Sequence, residues 1–151
     1  MRYEEVTEQT KALFREVKGD DFSELAGANI KLLFDTKKKK SGGKYVLARI
    51  QKPNELTRYF TIDEADSTEG FDYIIFLDKM LWDNMEDIDR KRIIRHELKH
   101  TDVDIDANSP WKLRGHTVED FYSEIERNND DPRWGERLGF MLDSLYEGDE
   151  E

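Results

Sequence analysis

The chain has 151 residues and a formal net charge of −11, which suits one soluble domain with a single core and argues against a nucleic-acid-binding body. It has no cysteine, which excludes a disulfide framework and any thiolate metal site; a bound metal must be held by His, Asp, Glu or water. Charged residues make up 39% of the chain, yet 36% hydrophobic with 11% aromatic residues can still build a core, so disorder is not expected.

Residues 3–17 read as a first helix, with Tyr3, Val6, Thr10, Leu13, Phe14 and Val17 on one face and Gly19 ending it. No signal peptide is legible at Met1-Arg2-Tyr3-Glu4-Glu5, and no apolar run approaches the length of a membrane span. An intracellular, cytoplasmic protein is therefore expected. Two strands follow, Asn29–Phe34 and Tyr45–Ile50. Between them lie Lys37–Lys40 and Ser41-Gly42-Gly43, a turn signal that predicts a long hairpin with a solvated basic tip. Beyond Pro53-Asn54-Glu55, the residues Leu56, Tyr59, Phe60 and Ile62 suggest a short extra strand. Phe71–Leu77 is the most apolar run and is expected at the centre of the sheet.

The run from Met85 to His100 has no Pro or Gly, and Met85, Ile88, Ile94 and Leu98 recur at helical spacing. Asn84 is the expected N-cap, with acids in the first turn. This helix carries His96-Glu97-Leu98-Lys99-His100. Residues four apart share a helix face, so His96 and His100 can aim two imidazoles at one metal ion. Glu97 sits where it can reach a water at that metal and act as general base. With only three His in the chain, this spacing is not a common accident.

A catalytic zinc needs a third protein ligand and one open position. His116 is the first choice, as the only remaining His, just ahead of a helix start. Glu119 and Asp120 are the second, and Asp106 the third. Asp106 holds the place of the last ligand in a longer zinc pattern, but Val103 stands where that pattern needs Gly. Trp111–Arg114 reads as a short extended piece. Thr117-Val118-Glu119-Asp120 matches a capping box opening a helix over 118–127, which puts Val118, Phe121, Tyr122 and Ile125 on one face. A last helix opens at Asp131-Pro132 and carries an apolar stripe of Trp134, Leu138, Met141, Leu142 and Leu145, followed by an acidic tail over 146–151.

The chain resembles the phage-type metallopeptidases, a zincin-like group. The likeness rests on Phe71-Asp72-Tyr73-Ile74-Ile75, Trp82, His96-Glu97-Leu98-Lys99-His100, and Leu113-Arg114-Gly115-His116-Thr117-Val118-Glu119-Asp120-Phe121, and it spans residues 22–127. It implies an α+β fold with zinc on the motif helix, His96 and His100 as ligands, Glu97 as base and a third ligand near His116. Asp is common directly after that His in the family; here the residue is Thr117, which favours the capping role for this stretch.

The expectation is thus a single zincin-like α+β domain over residues 1–151. A small, mainly antiparallel sheet packs on the motif helix and its flanking helices. The expected activity is zinc-dependent hydrolysis of a peptide or protein substrate. Membrane and nucleic acid are not expected as partners, and the sequence is silent on oligomeric state. The alternative is a non-enzymatic protein-binding module on the same scaffold; an acidic nucleic-acid mimic is the weakest reading, because the carboxylates are spread through the chain.

Overall fold

Every residue of the strand Tyr73–Asp78 is buried. A strand with no solvent face must lie inside a sheet, with both edges paired and both faces covered. The computed structural model describes residues 1–41, 43–115, 128 and 130–149, and shows how this is met.

In chain order the elements are β1 (Tyr3–Glu5), α1 (Glu8–Asp21), a 3-10 turn (Ser23–Leu25), β2 (Ile30–Asp35), β3 (Lys40–Ser41), β4 (Lys44–Tyr45), β5 (Ala48–Gln51), α2 (Glu55–Phe60), α3 (Ile62–Ala65), β6 (Tyr73–Asp78), α4 (Lys79–Asp83), α5 (Asp87–Leu98), β7 (Thr101–Val103), β8 (Trp111–Leu113) and α6 (Trp134–Asp149). The main sheet has the order β1-β2-β6-β5. β2 runs parallel to β6, with Leu32 opposite Ile75; β1 on β2 and β5 on β6 are antiparallel. The fold is α+β with small, mainly antiparallel sheets, as expected.

The long hairpin between the second and third segments does not form. The apolar β6 takes the place between β2 and β5, because its two edges both need partners. The lysine stretch closes a separate two-stranded ribbon instead, pairing Lys40 with Tyr45. Residues 3–5 are a strand rather than the start of a helix. Thr7 caps α1 by accepting from the Thr10 amide, and the helix runs through Gly19 to Asp21. The expected strand around Leu56–Ile62 is the helix pair α2–α3, since Asn54 accepts from the Thr57 amide and supplies an N-cap. Leu56, Tyr59 and Phe60 are left exposed.

Alternation along β6 sorts its side chains between two faces. Tyr73, Ile75 and Leu77 join the core under α1, α5 and α6, among Phe14, Val17, Ile94, Leu98, Leu138 and Leu142. Phe76 faces the other way, where the Arg49 guanidinium lies 3.8 Å from its ring centre and Tyr3 packs at 5.2 Å. Asp78 ends β6 buried, which pushes its carboxyl up. It caps α4 through the Leu81 amide at 2.9 Å and accepts the Tyr146 hydroxyl from α6. The stripe on α6 holds, with Leu138 and Leu142 fully buried and Tyr146 added to it, while Phe140 is 66% exposed.

The motif helix is shorter than expected at both ends. Asn84 is the C-cap of α4, not the N-cap of α5, and α5 runs only from Asp87 to Leu98. Ile88 is exposed; Met85, Ile93, Ile94 and Leu98 supply the apolar contacts. The expected capping box at Thr117 and helix over 118–127 lie outside the described residues. Among the described residues, no helix is long and apolar enough to cross a membrane.

Gly70 closes the α2–α3 excursion before β6. Its φ is +71°, and a Cβ there would meet the Arg58 carbonyl oxygen at 2.1 Å. Backbone cannot yield cheaply, so Gly70→Ala destabilises the fold by about 2 kcal/mol or more, read as a lowered urea midpoint with an unchanged slope.

Candidate metal centre

The motif straddles the C-terminal end of α5. The Lys99 amide still donates to the Arg95 carbonyl, but His100 donates to Glu97, so the last turn tightens to a 3-10 bond. The Thr101 hydroxyl then takes the Leu98 carbonyl at 2.6 Å, and β7 leads the chain away. β7 pairs with β8, Thr101 opposite Leu113, which brings Arg114 back over the helix end. The Arg114 amide donates to the His100 carbonyl at 2.6 Å, and its Nε donates to the Lys99 carbonyl at 3.0 Å. These are carbonyls that a helix terminus leaves without internal partners, and a cation suits that end of the helix dipole.

The same residue orients the second imidazole. His100 Nδ1 lies 2.8 Å from the Arg114 carbonyl oxygen. A carbonyl can only accept, so Nδ1 carries the hydrogen, which in the neutral ring leaves Nε2 as the ligating nitrogen. This is the usual second contact of a metal-binding imidazole. The rings of His96 and His100 are 5.3 Å apart and edge to face, 77° between planes. Two imidazoles on one tetrahedral zinc, with bonds of about 2.0 Å, put their ring centres about 5 Å apart. The ring spacing and the Nδ1 contact of His100 therefore fit a shared metal ion. His96 also meets the Trp134 ring, 6.1 Å away and nearly perpendicular.

Glu97 is 7% exposed, and burial alone pushes its carboxyl up to about 7. That matches a group that must take and return a proton near neutral pH. On the same helix, Asp89, Arg92 and Arg95 are all buried. Arg92 donates to Asp89 at 2.8 Å, to Asn128 at 3.1 Å and to Asp130. Arg137 of α6 also reaches Asp89, at 2.6 Å. This cluster fastens Asn128, Asp130 and Arg137 to α5 and so delivers Trp134 to His96.

The structure thus brings together His96, His100 and Glu97 in one turn. His116, Glu119 and Asp120 lie outside the described residues. Asp106 is exposed in the turn between β7 and β8, and among the described residues no third His, Asp or Glu gathers with another two as a metal-binding group. Arg114 and Trp134 were not singled out as site residues from the sequence. Both act through long-range placement, and only the closeness of Arg114 to His116 in the chain gave any signal.

A glutamate ordinarily ionises near 4.5, and here the value is about 7, so the folded chain holds a proton that the unfolded chain has already lost. Stability of the metal-free protein then falls as pH rises through that window and is lowest above it. Glu97→Gln removes the loss. It stabilises the chelator-treated protein by about 3 kcal/mol near pH 8 and by almost nothing near pH 4, read by urea unfolding.

A family model described as putative phage metallopeptidase matches residues 1–146, beyond the stretch on which the resemblance was read. No curated protein and no solved structure matches the chain.

Proposed function

Since the chain belongs to the putative phage metallopeptidase family, we propose that it is a zinc-dependent peptidase, with residues 1–151 as one catalytic domain, His96, His100 and His116 as metal ligands and Glu97 as general base. What carries this reading is the arrangement of the two imidazoles: 5.3 Å between ring centres, with His100 held by the Arg114 carbonyl so that Nε2 can ligate.

A zinc ion bound there supplies Lewis acidity toward the scissile carbonyl and toward water. Glu97 takes the proton of the attacking water and returns it to the leaving amine. Its buried setting keeps competing water away from that proton. Arg114 holds His100, and Trp134 bounds His96 on its other side. The peptide lies along β5, which has β6 on one side and, among the described residues, no strand on the other. Such an edge offers backbone groups to an added strand. The acidic chain is matched to a peptide or protein substrate rather than to nucleic acid or a membrane surface.

Metal content tests the assignment. Protein purified without chelator or nickel carries about one zinc per chain, and His116→Ala loses it. Glu97→Gln keeps the zinc and loses peptide cleavage by a factor of about 10² or more. Zinc retained in His116→Ala would move the third ligand to Glu119, Asp120 or Asp106. No zinc and no uptake on titration would overturn the peptidase reading.

A further inference from the structure

A second opening lies beside the candidate centre. It is a groove of about 430 Å³ between the arm that leads into β5 and the first two turns and a half of α6. Tyr45 and Leu47 form one wall, and Gly135, Gly139 and Phe140 the other. A Cβ built on either glycine meets no atom within 4 Å, so both face open space. Phe140 stands largely exposed, two residues from the buried Leu138 and Leu142 on the opposite face of the helix. The volume lies in the range of sites that hold small ligands. It is ample for one large side chain and its backbone. Lys44 at the rim is set against Glu136 and Asp143, and Glu136 is already paired with Arg133. That balance gives an acidic occupant no advantage.

Both walls of the groove adjoin, along the chain, residues of the candidate site. Leu47 immediately precedes Ala48, the first residue of the open-edged β5. Gly135 immediately follows Trp134, whose ring meets His96. A strand laid along β5 therefore passes the mouth of the groove within one residue of the strand's end, and the helix that closes the groove also touches a candidate zinc ligand. Alternate side chains of such a strand point to the same face, so one of them can enter. We propose that this groove is the specificity pocket of the enzyme, and that it takes one bulky apolar side chain of an extended peptide substrate. The assignment rests on the peptidase reading above and names the substrate feature that reading leaves open.

The test is a digest of a proteome-derived peptide library by zinc-loaded wild type, Gly139→Leu and Phe140→Ser, with cleaved bonds read by mass spectrometry. Wild type is expected to enrich large apolar residues about tenfold at one fixed position from the cleaved bond. Gly139→Leu fills the groove and shifts that position to small residues while cleavage continues. Phe140→Ser removes a wall and weakens the enrichment, which guards against a Gly139→Leu chain that fails to fold. A flat profile in wild type, or an enrichment unchanged in both variants, overturns the pocket and leaves the peptidase standing. No cleaved bond at all overturns the peptidase reading. The pocket is then decided by binding of the same library to zinc-loaded Glu97→Gln protein: apolar enrichment lost on adding Gly139→Leu supports it, and unbiased binding overturns it.

Discussion

A helix that ends inside a protein has to find donors for its last carbonyls, and the end of α5 is where this fold is most constrained. Thr101 satisfies Leu98, and Arg114 satisfies both Lys99 and His100. To bring Arg114 there, the chain must leave as β7, turn and return as β8. The ribbon is itself tied to the core strand, since the Tyr73 hydroxyl donates to the Lys112 carbonyl at 2.8 Å and Lys52 reaches the Trp111 carbonyl. The same return that terminates the helix sets the tautomer of His100. Helix termination and ligand orientation are one structural event here, so a change that frays the ribbon reaches the candidate metal ligand directly.

The electrostatics divide into two layers of different weight. Surface pairs such as Lys79–Asp83 and Lys11–Glu8 are screened and contribute little. Arg92, Asp89 and Asn128 are largely removed from water, and Arg137 joins them from the surface. Removing one member of such a cluster strands another without its partner, which is far more costly than the intact cluster is stabilising. In a chain with net charge −11, spending cations in the interior is a notable allocation. What it secures is position: Asn128 and Arg137 are held against α5, and Trp134 against His96.

The parts legible in the sequence were those decided by local pattern. The central strand was readable because five consecutive residues, Tyr73–Leu77, are apolar or β-forming, and the apolar stripe of α6 because its period is 3.6. Trp111–Leu113 was readable as extended, and His96, Glu97 and His100 as a unit from their spacing alone. The misreadings were non-local. Nothing within Asn29–Ile50 states that a third strand from forty residues further on will come between its two extended segments. Tyr3 and Val6 fit a helical face equally well, and only pairing with Leu33–Asp35 makes residues 3–5 a strand. Leu56, Tyr59 and Phe60 looked like buried strand residues, but the Asn54 cap decided for helix and left them outside. Arg114 was invisible for the same reason, because its role exists only once β8 has folded back on α5.

The attachment of α6 has a consequence for how this chain can change length. The helix is fixed near its start by Arg137 on Asp89 and near its end by Tyr146 on Asp78. The two anchors are nine residues apart, roughly 14 Å of helix, and they bind to acids on different elements. The segment therefore acts as a ruler between α5 and the end of β6. Each inserted or deleted residue would turn one anchor by about 100° relative to the other. One anchor would be lost, or Trp134 would swing off His96. Many side chains on the outer face of α6 can be exchanged freely, but its residue count between 137 and 146 cannot. Gaps should accordingly be rare in that stretch even where the residues themselves drift.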